Sequence, residues 1–446
     1  MTALAVLLAF VSTQTDVPPA AEPPSTESPP AATGAVHFRG ALETLFQTFP
    51  SGTPGGQQDL FGHATPVLAF DGGEDFAFEL GATLRLRVFD DPPEQRPNDY
   101  GQLLRREDWD QTSDYGQLIR ELRIGKEDSA FSLWAGPAQG YTLGHGHLVA
   151  RYSNRENTDY HPAAAGLSFT IGPTQTELFA SDFLGARLFA AEVDADMGRI
   201  LGEDPAAFDR YHLSFSVAHD AGVAGGRAPP VTLMHFDFDA ALHRAGAVQV
   251  FAFAGIGSRI FVPAADLGAV AGLSVDGATG PLRLGGKFEA RKQGGGFRHG
   301  MFGPAYELAR FAGTGLAGEP VASEQLPDAF SGYAEFRIAS GGEAAPPAEP
   351  FVSFSAAGEY FSFGRTDADA ALAMRILGGR GLATLRASVI GVGVRPRYAL
   401  GGEGRFRFAP AFYAVAAGGT VFFPQPDSTL VRGVYAGAGV GVDFER

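Results

Sequence analysis

The segment Tyr141 to His147 reads Y-T-L-G-H-G-H, and Asp159, Tyr160, His161 and Pro162 follow in the same stretch. His145 and His147 stand two apart, so an extended backbone presents both imidazoles on one side. Imidazole grouped with carboxylate suits a borderline transition metal. His145, His147 and His161 equally suit a loop that folds inward and narrows a pore. A second group, His235, Asp237 and Asp239, again has period two. Hydrolysis would need a nucleophile beside such a base, and no G-x-S-x-G motif occurs. The glycine runs at 294–296 and 401–404 precede no Lys-Ser or Lys-Thr pair, so neither is a phosphate loop. Cysteine is absent, which removes disulfides and thiolate metal sites. These residues predict a protein that is not an enzyme and holds no resident metal or cofactor.

The cations form a third pattern. Arg85, Arg87, Arg283, Lys287, Arg291, Arg337, Arg405 and Arg407 recur at alternating positions, interleaved with Glu79, Glu289, Glu335 and Glu403. Two readings follow. The cations bias a pore toward anions, or they pair with the acids and brace a wall. The net charge of −16 lacks the basic footprint of a nucleic-acid binder. Lys126, Lys287 and Lys292 are the only lysines, so no lysine-rich patch exists either.

The elements carrying these residues are strands. In 75–90, Phe76, Phe78, Leu80, Ala82, Leu84, Leu86 and Val88 share one parity, and Ala77, Glu79, Gly81, Thr83, Arg85, Arg87 and Phe89 the other. A strand sorts these sets onto opposite faces and a helix mixes them. The last stretch, Gly433 to Phe444, sorts the same way, with Val434, Ala436, Ala438, Val440, Val442 and Phe444 opposite glycine, Tyr435 and Asp443. Val36 to Gln47 reads as the first strand. Further alternating runs begin near residues 64, 115, 130, 167, 175, 186, 211, 234, 248, 267, 282, 332, 351, 370, 382, 397 and 412. The irregular stretch 194–208 holds a helical turn around Met197–Leu201. No apolar run reaches the roughly 18–20 residues of a membrane helix. Connections alternate between short turns such as 71–74 and 172–174 and long ones at 51–63, 91–113, 137–164 and 292–329. The count is an even number of strands between 16 and 20.

Ten-residue alternating runs, short turns on one end, long loops on the other and a near-terminal aromatic at Phe444 resemble the outer-membrane β-barrels of Gram-negative bacteria, porin-like members included. The resemblance covers residues 35–446. Residues 3–11 (A-L-A-V-L-L-A-F-V) resemble the apolar core of a secretory signal peptide within residues 1–20, and the Pro/Ala-rich stretch 21–34 reads as a disordered linker. The resemblance implies one antiparallel transmembrane barrel with both termini periplasmic. Its partners would be outer-membrane lipid, the outer-membrane assembly machinery and small solutes, not nucleic acid. It also implies a porin-like channel for passive diffusion of small hydrophilic solutes. The alternative is a structural or surface-binding barrel whose loops occlude the lumen.

Overall fold

The computed structural model describes residues 37–50, 58–89 except 74, 103–126, 129–156, 159–202 except 186, 209–222, 229–262 except 246, 266–310, 319–340, 351–424 and 429–445. The expected leader and linker, 1–34, lie outside them.

Twenty staves close one antiparallel barrel. In chain order they are β1 His37–Pro50, β2 Gln58–Asp71, β3 Phe76–Gly81 with Leu84–Phe89, β4 Ile119–Ile124, β5 Phe131–Gly136, β6 Ala164–Ile171 and β7 Thr174–Ala180. Then come β8 Leu188–Asp196, β9 Tyr211–Asp220, β10 Val231–Ala245, β11 Val248–Ile260, β12 Asp266–Thr279, β13 Leu282–Gly295 and β14 Leu326–Ser340. The ring finishes with β15 Val352–Phe361, β16 Thr366–Ile376, β17 Gly381–Val392, β18 Arg397–Ala409, β19 Phe412–Pro424 and β20 Leu430–Glu445. Each stave pairs with the next, and β20 returns to β1 with Leu42 opposite Val442 and Leu45 opposite Gly439. The seam needs small residues on its inner face. A side chain at Gly439 would stand 2.0 Å from the Thr44 carbonyl oxygen, and one at Gly441 would enter the Tyr413 ring.

The expected strand over 75–90 is one stave in two pieces. Both pieces pair with β2, the first with Val67–Asp71 and the second with Leu60–Ala64. The break at Ala82 and Thr83 faces Thr65 and Pro66. Proline has no N–H to donate, so the ladder lapses there. The strand expected from 115 starts at Ile119, because 112–118 winds into 3-10 turns. β2 begins at Gln58, inside the loop expected at 51–63. The helical turn forms at Met197–Ile200, capped by the Asp196 side chain.

Residues sort by face as in a protein turned inside out. Phe236, Phe238 and Leu242 on β10 point outward, 45 %, 48 % and 60 % exposed, while His235, Asp237 and Asp239 between them are buried. On β13 Phe288 is exposed, and Glu289 and Arg291 beside it are buried. A soluble protein has no means to cover so many outward aromatics, whereas lipid does. Most turns on one end are tight, the connections after Asp196 and Ser340 being the longer ones. The turn between β2 and β3 uses the Asp71 carboxylate to accept from Gly73 N–H at 2.7 Å, with Gly73 at φ 81°. The opposite end carries loops 90–118, 137–163 and 296–325.

An arginine at the outward position 238, mid-way along β10, is expected to cost roughly 2–4 kcal/mol at the bilayer midplane. Reversible unfolding of Phe238→Arg against Phe238→Leu in liposomes measures this, with the leucine variant staying near wild type.

Candidate functional site

Two of the long loops turn inward and pack on staves β6 to β10. Leu143, Leu148, Val149 and Tyr152 from loop 137–163 join Phe297, Phe302, Tyr306 and Val321 from loop 296–325 in one buried apolar cluster. Phe179, Leu188, Ala218, Val231 and Leu233 on the wall complete it. This core lies inside the barrel against those staves, with further cavities of about 530 Å³ along β4–β7 and about 310 Å³ along β9–β14. Charged ties fix it at several points. Arg310 Nη2 donates to Asp220 at 2.6 Å, and the Tyr306 hydroxyl bonds the same carboxylate. Tyr152 bonds Glu307 across the two loops.

Loop 137–163 also crosses the lumen. Its Tyr141 hydroxyl donates to Glu177 on β7 at 2.7 Å. Its Arg151 donates to Asp369 on β16 at 2.6 Å and to the Tyr333 hydroxyl on β14 at 2.5 Å. Gln139 accepts from Arg386 on β17. Burial lowers the affinity of the Arg151 guanidinium for its proton, but Asp369 and Glu335 outweigh it and hold the group above its ordinary value. The inner ribbon between Gln139–Tyr141 and Tyr152–Ser153 stiffens the crossing.

The two histidine groups of the sequence meet here. His145 Nε2 lies 3.1 Å from Asp239 Oδ2. His147 Nδ1 lies 2.7 Å from Asp237 Oδ1, and its Nε2 3.2 Å from Glu289 Oε1. His235 Nδ1 lies 2.8 Å from Asp237 Oδ2. Burial pulls the His145 imidazole down, but the Asp239 hydrogen bond and the Asp237 and Asp239 charges hold it above its ordinary value. The expected grouping of His145 and His147 with Asp159 and His161 does not form. His161 faces Asp108 at 3.4 Å instead, and Asp159 accepts from Arg105 at 2.5 Å. Asp108, fully buried, pairs with Arg85 at 2.6 Å and Arg105 at 2.5 Å.

The other cations also find acids. Arg87 stands 3.8 Å from Asp59. Lys287 Nζ donates to the His145 carbonyl and reaches Glu289 at 2.7 Å. Arg291 bridges Glu289 at 2.5 Å and Glu359 at 3.0 Å and lies over the Tyr333 ring. Arg337 sits 3.6 Å from Glu335, Arg405 2.6 Å from Glu403, and Arg407 2.5 Å from Asp443. Arg283 lies exposed at the turn end of β13. Sequence reasoning passed over His299, Arg151, Arg155 and Arg386. The first three stand in aperiodic loops, and Arg386 is one inward residue among small ones.

A cavity of about 540 Å³ lies between loop 137–163 and staves β1–β3 and β15–β20. Its wall there is Ser355, Ala371, Ala387, Ala399, Gly401 and Ala417, and its charged groups are Arg85, Arg151, Arg155 and Arg386 with Glu43, Glu156 and Asp369. Burial, then the neighbouring Arg120, pushes the Arg155 guanidinium down to about 10.

A closed antiparallel barrel with an apolar exterior and a polar, charge-lined interior defines a β-barrel that spans a membrane with its strands. No family model matches the chain, and no curated protein matches it. Among solved structures it is similar to the vanillate complex of Pseudomonas aeruginosa OpdK, at 7 % identity and TM-score 0.39, covering 92 % of this chain and 99 % of that one. Pseudomonas aeruginosa OccK2 gives 9 % identity and TM-score 0.35 over 92 % and 97 %. Acinetobacter baumannii OccAB1 gives 7 % and 0.30 over 97 % and 100 %. At this distance no residue role passes from them to this chain.

Burial pushes His161 down to about 4, the Asp108 hydrogen bond opposing and Arg85 adding to the fall. The docked loop therefore binds fewer protons than a released one, whose histidine titrates near 6.5. Docking is fully favoured above pH 6.5 and weakens as pH falls toward 4. Asp114, pushed up to about 6 chiefly by burial, acts in the opposite sense, so the histidine contribution is the difference between wild type and His161→Gln. The protection of amides in 159–163, after correction for the intrinsic pH dependence of exchange, is expected to fall on acidification more in wild type than in that variant.

Proposed function

We propose that the protein is an outer-membrane channel of a Gram-negative bacterium, passing small hydrophilic solutes by passive diffusion, with both termini periplasmic. The observation that carries this reading is the 540 Å³ water-accessible cavity, walled by small residues and lined by charge, inside a lipid-facing barrel. The chain reaches that membrane through its outward apolar face and the assembly machinery that inserts such barrels. Loop 137–163 with His145, His147 and His161 is the constriction. The lumen cations on the β10–β14 side brace the wall through their acids. Selectivity falls to Arg155 and Arg386 at the open side, so small anions are favoured. Catalysis has no part in this reading.

The loop core on β6–β10 supports a second reading, a barrel occluded by its loops. The two separate in proteoliposomes. A channel lets small sugars swell the vesicles, and an occluded barrel does not. Reversal potentials across a salt gradient test the selectivity. Wild type is expected to favour chloride, and the double variant Arg155→Glu, Arg386→Glu to reverse the preference, as charge rings in pores do. An unchanged reversal potential would remove these arginines from the account.

A further inference from the structure

Three histidines from three parts of the chain converge inside the wall. His235 comes from β10, His147 from loop 137–163 and His299 from loop 296–325. Their ring centroids are 4.7 Å (His147 to His235), 5.7 Å (His147 to His299) and 5.3 Å (His235 to His299) apart. All three are at most 2 % exposed. Donor atoms of His147, His235 and Asp237 lie within 4.8 Å of one another.

Hydrogen bonding accounts for both nitrogens of His147 and for Nδ1 of His235 but leaves out half of the ring nitrogens of the cluster. Among the described residues, neither ring nitrogen of His299 nor Nε2 of His235 has a partner. Buried polar atoms are almost always paired, and an unpaired one costs free energy. The space for these rings is kept open from the neighbouring strands. A side chain at Gly255 would collide with Asp237 Oδ1 and the His235 ring, at 2.2 and 2.5 Å. One at Gly257 would meet the His235 ring at 2.4 Å, and one at Gly268 would stand 3.1 Å from His299 Nε2.

The charges divide between two roles. Glu289 is neutralised by Lys287 at 2.7 Å and Arg291 at 2.5 Å, which leaves it to accept from His147 Nε2. A carboxylate on the far nitrogen of an imidazole is the usual support for a metal-bound histidine. Asp237 has no Lys or Arg within ion-pair distance among the described pairs and contacts only the two histidines. It is the anionic donor. An ion held by ring nitrogens at roughly 2.0–2.1 Å in a tetrahedral array sets imidazole centroids about 5 Å apart, the spacing seen here.

We propose that His147, His235 and Asp237 bind a divalent transition-metal ion of the zinc class, with His299 as the fourth ligand. The ion ties loops 137–163 and 296–325 to the barrel wall, on the side of the lumen away from the open cavity. Mixed nitrogen and oxygen donors without thiolate select the borderline divalent ions over calcium and magnesium.

The test uses the purified full-length barrel in detergent, stripped with chelator and titrated with Zn²⁺ and separately with Co²⁺. Wild type is expected to retain about one ion per chain after gel filtration, and Co²⁺ to give the visible absorption of a four-coordinate site. His299→Gln should weaken binding roughly 10-fold or more. His147→Gln with His235→Gln should abolish it, while His219→Gln and His243→Gln, at exposed positions, leave it unchanged. Heat-modifiable gel mobility confirms that each variant is folded. A folded wild type that retains no Zn²⁺ or Co²⁺ above a buffer blank overturns the proposal, since water then serves those nitrogens. Stoichiometric binding that survives in the folded His147→Gln, His235→Gln protein overturns it equally.

Discussion

Every other feature of this molecule depends on closing the backbone ladder. Lipid offers no partner to an N–H or a carbonyl, so a sheet that spans it must have no edge. Here the last edge is removed when β20 lies against β1 from Thr48–Ala436 to Arg39–Glu445. Closure also fixes which face is which. With a side-chain period of two, a slip of one residue at the seam would turn Val440 and Phe444 inward and Tyr435 and Asp443 into lipid. Glycine on the inner side of β20 lets the two strands approach without collision.

Once the ring is closed, its interior has to be filled or left wet. This chain does both. The side lined by β6 to β10 receives two loops, which form an apolar core there, with Tyr306, Arg310 and Asp220 locked together beside it. The half lined by β15 to β20 carries alanine, serine and glycine along a cavity of about 540 Å³. Loop 137–163 is the partition. Its ties run to both sides, from Glu177 to Asp369 and Arg386. Buried ion pairs of this kind contribute little net stability, but losing one partner strands the other charge. Such pairs set position more than strength, which is what a partition needs.

The barrel was legible because its signal is repeated. Alternation in 75–90 and in 433–444 gathers most large apolar residues on one face, Phe89 being an exception, and mostly short turns against long loops marked the two ends. Pro66 was visible, yet the lapse it causes in β3 depends on pairing between strands, which one sequence does not display. The lumen was legible only in part. Asp237 and Glu289 declared themselves by parity on their strands, and His147 by its spacing from His145. That His147 meets both, while His161 turns away to Asp108, follows from how loop 137–163 folds. Its apolar residues, Leu143, Leu148, Val149 and Tyr152, have no period to read. His299 is one histidine in a glycine-rich stretch and acquires meaning only beside His147, His235 and Gly268.

The central claim is that this barrel spans a membrane and leaves part of its lumen open. Single-channel recording of the purified wild-type protein in planar bilayers tests it most directly. Discrete, reproducible current steps in salt solution are expected, smaller than those of an unobstructed barrel of 20 staves. A correctly inserted, heat-modifiable protein that leaves the bilayer sealed would contradict it.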